Sequence, residues 1–136
     1  MVSLRLIDSI TELQPADAGC IALSGSHGGV SSARYALAVR PLLSVFNDAG
    51  GGLDNAGVAG LELLQAQGLA ACAVSHQSAR IGQASSTWET GIVTHSNAAA
   101  QSLGIQPGHG LRTQVEALMQ RTDHHDQGST GKSAEQ

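Results

Sequence analysis

Aromatic side chains are nearly missing from this 136-residue chain, which has only Tyr35, Phe46 and Trp88. So few rings cannot build stacking platforms for nucleobases. Lysine and arginine are also scarce, seven residues scattered without a cluster, and eleven Asp and Glu bring the net charge to −4. A phosphate backbone would meet no basic stripe, so nucleic acid is disfavoured as a partner on both counts. No apolar stretch approaches the roughly 18 to 20 residues that cross a bilayer, and no basic leader followed by an apolar run opens the sequence. The reading therefore predicts no membrane insertion, no secretion and a cytoplasmic location. Cysteine is limited to Cys20 and Cys72, each inside a short apolar run. They read as small buried hydrophobes in a reducing compartment rather than as a redox pair.

Glycine, alanine and serine are what the chain has in abundance. They build a thin core of small and aliphatic side chains, let helices pack closely on a sheet, and favour a homo-oligomer. The length fits one domain, and such a domain buries roughly two thirds of the surface its unfolded chain exposes. Residues 4–7 alternate apolar and polar and read as a short strand of uncertain sheet position. Residues 19–23, 42–46 and 69–74 are compact apolar runs of strand length. Each empties into a polar, glycine-bearing segment: 24–29, 47–52 and 75–82. Helix-compatible stretches follow at 30–39 and 54–67, the second with Asp54 as its N-cap and Gly68 as its stop. Strands separated by helices of this length run parallel. The expected fold is α/β, a Rossmann-like open sheet in two or three layers, mainly parallel, with about four to five short strands and flanking helices. A helical turn at 85–90, a strand at 91–94, a short helix at 98–103 and an amphipathic helix at 111–121 complete a single domain over 1–121. Apolar residues vanish after Arg121, so 122–136 reads as a disordered tail.

In a parallel sheet the carboxyl ends of the strands share one edge, and ligands bind there. The loops expected at that edge concentrate His27, Asn47, Asp48, His76 and Arg80 in a chain that is only 13% charged. Ser24, Ser26, Gly28 and Gly29 lead into a helix start, whose N–H groups and positive end suit an anion. Ser26 is also a candidate nucleophile if an imidazole lies within reach. Asp48 can orient a histidine or act as a general base, with Asn47 beside it. Ser75 and His76 follow the next strand, His76 as an acid or base, and Arg80 is a candidate clamp for a carboxylate or phosphate. His95 sits at a further helix start, its reach undecided from sequence.

Nucleotide signatures are lacking. Gly50 to Gly52 lack the dinucleotide spacing, and Val58 and Ala59 stand where a Walker motif needs Lys and Ser or Thr. The Ser-His-Gly-Gly segment is not a Gly-x-Ser-x-Gly elbow either. The reading that remains is a hydrolase or lyase acting on a small anionic molecule. Ser26, His27, Asp48 and His76 would be catalytic, and Ser24, Gly28, Gly29, Asn47, Ser75 and Arg80 would bind substrate, with no organic cofactor. A less favoured version recruits a divalent metal through His27, Asp48, His76 and His95. The alternative function is a non-catalytic metabolite-binding or regulatory subunit using the same loops.

Overall fold

A computed structural model of the chain describes residues 2–51 and 55–130, with side chains as far as Thr122. The expected N-cap at Asp54, and the end of the expected tail beyond residue 130, lie outside the described residues. Strand β1 (Leu4–Ile7) is followed by two 3₁₀ turns (Ile10–Glu12 and Pro15–Asp17). Strand β2 (Ile21–His27), helix α1 (Val30–Val39), strand β3 (Leu43–Asn47), helix α2 (Gly60–Ala66) and strand β4 (Ala70–Val74) then alternate. Helix α3 (Ala84–Thr90), strand β5 (Val93–Ser96) and helices α4 (Ala98–Ser102) and α5 (Leu111–Thr130) complete the chain. The strands lie in the order β1-β2-β3-β4-β5, parallel through β4, with β5 antiparallel against β4.

The apolar runs of β3 and β4 are continuous rather than alternating because both faces of the sheet are covered. On one face Ala22, Phe46, Ala71 and Ala73 pack with Ile10, Ala33, Ala36, Leu61 and Leu64, so the first turn, α1 and α2 all lie there. On the other face Ile21, Leu23, Val45, Cys72 and Val74 meet Ala84, Ala100, Ile105, Leu111, Val115 and Leu118 from the chain beyond β4. The result is a three-layer α/β/α domain, one of the two layer counts that the sequence pattern leaves open. Trp88 of α3 joins α5 through the Arg112 guanidinium, 5.1 Å above its ring.

Glycines set the spacing of the first layer. Gly60 N–H donates to Gly28 O at 2.8 Å, and a methyl group on Gly60 would collide with Gly29 O and stand 2.8 Å from Ala33 Cβ. That contact also explains a difference from the sequence reading. The helix expected over 54–67 runs only from Gly60 to Ala66, because the preceding turn, with Asn55 at φ 58°, brings Gly57 and Gly60 against neighbouring backbone.

Beyond β4 the chain crosses the carboxyl ends of the parallel strands to reach the opposite face. Asn47 Nδ2 donates to Ala79 O at 3.0 Å, Gly82 N–H to Gly25 O at 2.7 Å and Ala84 N–H to Asp8 Oδ1 at 2.9 Å. The crossing segment is thus tied to the ends of β3, β2 and β1 in turn. Gly25 is needed under it, since a Cβ there would overlap Gln83 N and lie 2.6 Å from the Gly82 carbonyl carbon. At the far end, α5 runs from Leu111 to Thr130, longer than the helix expected over 111–121.

Candidate active site

The segment expected to be a loop over 24–29 is mostly strand. β2 continues to His27, with a register irregularity against β3 between Leu23 and His27. Ser24 is fully buried and donates its hydroxyl to Val45 O at 2.7 Å, so a polar residue continues the strand without an unmet hydrogen bond. Ser26 Oγ accepts Ile10 N–H at 2.9 Å, which anchors the turn after β1. His27 is exposed, and its Nδ1 accepts Gly29 N–H at 3.1 Å. Gly28 and Gly29 are themselves buried under the segment that enters α2. Asn47 is fully buried, accepting Ala49 N–H at 2.8 Å and holding Ala79 O. These residues shape the carboxyl edge.

Asp48 and His76 do come together. Asp48, only 7% exposed, follows β3 directly. Its Oδ1 accepts Gly50 N–H at 2.8 Å and His76 N–H at 3.1 Å, and it lies 3.4 Å from His76 Nδ1. Its Oδ2 accepts the Thr94 hydroxyl at 2.9 Å. Burial pushes the Asp48 carboxyl up, but the hydrogen bonds from Gly50, Thr94 and His76 outweigh that and hold it below the ordinary aspartate value. The carboxylate is ionised at neutral pH. With Nδ1 turned to the carboxylate, the half-exposed His76 ring keeps Nε2 for an outside partner.

Thr94 carries the network further, since its Oγ1 lies 3.0 Å from His95 Nδ1. The sequence reading left His95 undecided and did not select Thr94. A threonine in a short strand is an ordinary β-former, and only the bulge that shifts the register between Ala73 and Val74 aims its hydroxyl at Asp48.

The remaining candidates stand apart from this network. Neither His27 nor the Arg80 guanidinium hydrogen-bonds or ion-pairs with Asp48 or His76, and Arg80 is exposed, with its N–H donated to Ser86 Oγ at 2.9 Å. Ser75 Oγ accepts Gln77 N–H at 3.0 Å, a local turn contact. Among the described residues no three His, Cys, Asp or Glu side chains gather into a group that could hold a metal ion. No helix among them is long and apolar enough to cross a membrane. Cys20 and Cys72 are free and buried, and burial pushes their thiols up to about 11 and about 12.

The strand order is a second constraint. Crevices in open α/β sheets form where the order reverses and adjacent loops diverge to opposite faces. Here β1 to β4 follow one another without reversal, and the edge is bridged by the segment from Ser75 to Gln83. A cavity of about 330 Å³ opens beside β5, between α2 and the start of α4, with His95 in its wall. No known protein family, no curated protein and no solved structure matches the chain.

Proposed function

We propose that this protein is a small-molecule enzyme of the hydrolase or lyase type, in which His76 transfers protons while Asp48 orients it. The observation that carries the reading is the buried, ionised carboxylate 3.4 Å from the Nδ1 of a half-exposed imidazole. A general base needs its ring held in one tautomer and its free nitrogen open to substrate. Asp48 supplies the first by facing Nδ1, and the exposure of His76 supplies the second. When Nε2 takes a proton, the carboxylate stabilises the resulting imidazolium, as in any orienter–base pair.

The substrate in this reading is small and anionic, held by Arg80. Support comes from the anchoring of the preceding residue. Ala79 O is fixed by Asn47, immediately before Asp48, so the Arg80 backbone leaves the edge next to the strand that carries the carboxylate. Among the described residues no acidic group pairs with its guanidinium. The protein acts in the cytoplasm as a homo-oligomer, with Leu6, 43% exposed on the edge strand β1, as a residue for a subunit contact to cover.

A non-catalytic metabolite-binding or regulatory subunit is the second reading. It is favoured by one observation: the Ser24 and Ser26 oxygens, the candidate nucleophile included, already hold backbone groups of the fold. The two readings part on turnover. A screen of small esters, amides and hydroxy acids carrying a carboxylate or phosphate should find a substrate whose kcat falls about 10²- to 10⁴-fold in His76→Ala, the usual range for loss of a positioned acid or base. If turnover of that substrate survives in both His76→Ala and Asp48→Asn, the roles given to these two residues are wrong; if no substrate is turned over while Arg80→Ala abolishes binding of a small anion, the enzyme reading is wrong and the binding subunit stands.

A further inference from the structure

The cavity beside β5 has its own chemistry. Val58, Leu61 and Ala98 form its apolar wall, and Glu62, Gln65 and His95 are among its polar residues. No Lys or Arg lines it. Gln65 Oε1 is occupied by Ala99 N–H at 2.8 Å. Glu62 is exposed, and no cation among the described residues pairs with it.

The direction of the His95 hydrogen bond follows from its neighbours. Ionised Asp48 only accepts, and Thr94 has a single proton to give. That proton goes to Asp48 Oδ2 at 2.9 Å rather than to Ala73 O at 3.3 Å, because the charged acceptor is both closer and stronger. Thr94 Oγ1 must then accept from His95, 3.0 Å away. Nδ1 therefore carries a ring proton, and Nε2 is the nitrogen left to accept when the ring is neutral. The cavity presents an apolar wall, an imidazole and a carboxylate, and no Lys or Arg in its lining opposes a cation there.

We propose that this groove binds a small primary ammonium ion with a branched aliphatic body, its N–H groups accepted by His95 Nε2 and the Glu62 carboxylate. The branched body lies against Val58, Leu61 and Ala98, and Thr94 is a positioning residue that acts through His95. This site shares with the acid–base reading at His76 only the Thr94 bond to Asp48, and its test measures binding at His95 rather than turnover, so the failure of one is distinguishable from the failure of the other.

The experiment titrates the full chain with isobutylammonium, isobutanol and isobutyrate, which share a body and differ in their head groups. The readout is the His95 ring resonances in ¹⁵N–¹H spectra. Isobutylammonium should give a saturable shift at His95 and bind at least tenfold more tightly than the other two. Free His95 should show the Nδ1–H tautomer, retained in Thr94→Ser and lost in Thr94→Val with a several-fold weaker affinity. Because Glu62 is exposed on α2, Glu62→Lys should fold normally and turn the preference toward isobutyrate. An Nε2–H tautomer in the native chain, equal binding of alcohol or carboxylate, or no saturable shift with any probe would overturn the proposal.

Discussion

Asp48 is tied to the fold by four donor groups: the N–H groups of Gly50 and His76, the Thr94 hydroxyl and the His76 ring. Its folded pKa lies below its unfolded one. Such a group stabilises the native state at pH above the ordinary aspartate range, and that contribution is lost as pH falls through the depressed folded value. Asp48→Asn replaces one acceptor oxygen by a donor that faces other donors. It should cost about 1 to 3 kcal/mol at neutral pH. Urea unfolding from about pH 6 down to about pH 2 should show the gap between native chain and variant narrowing toward the acid end. A gap constant over that range would mean that the ionised carboxylate is not what holds the loops. Asp48 and His76 were legible in the sequence because polar residues stood just after apolar runs. Ser24 and Ser26 were misplaced for a related reason, since a serine that meets its own hydrogen bond can continue a buried strand and so hides where the strand ends.

The elements read most easily were those whose burial is uniform. β4 appeared as an unbroken apolar run, and β3 as one interrupted only by Ser44, because helices cover both their faces, and their parallel pairing followed from the lengths of the connections. α2 was read too long because helical spacing continued through residues whose backbone is committed elsewhere. At Gly60 the missing side chain is a packing requirement. Alanine has the higher helix propensity by about 1 kcal/mol, yet here its methyl group would meet Gly29 O and the Ala33 side chain. Gly60→Ala should therefore lower stability by about 1 to 3 kcal/mol, the usual cost of overpacking, when thermal unfolding of the two chains is compared. A rise in melting temperature would show that α1 and α2 can separate without loss. Asn97 is a counterpart at the other end of the sheet. Its side chain caps α4 at Ala100 N–H and also reaches Ala71 N–H, Leu61 O and Leu69 O. The short helix was legible from sequence, but these long-range contacts were not, because they depend on where β4 lies beside β5.

For the molecule as a whole, the unreversed order of the strands decides how the layers depend on one another. The first turn, α1 and α2 share one face, so the other face is covered only by elements that come after β4. Leu111, Val115 and Leu118 of α5 are buried there, each at 2% exposure or less. Burying one such side chain fully contributes roughly 1.5 to 3 kcal/mol, and a domain of this kind has only about 5 to 15 kcal/mol in total. A chain ending before Leu111 should therefore lose cooperative unfolding, along with the native fluorescence of Trp88, which borders α5 through Arg112. Retention of a sharp urea transition in that truncated chain would show that the second layer is dispensable. The same arrangement bears on synthesis. A ribosome delivers the parallel sheet and its first helical layer well before α5 emerges, so the nascent chain carries a bare stripe of Ile21, Leu23, Val45, Cys72 and Val74. During that interval the stripe is a natural target for a chaperone or for another unfinished chain, and slowing translation after β4 should cost this protein more yield than slowing it anywhere earlier.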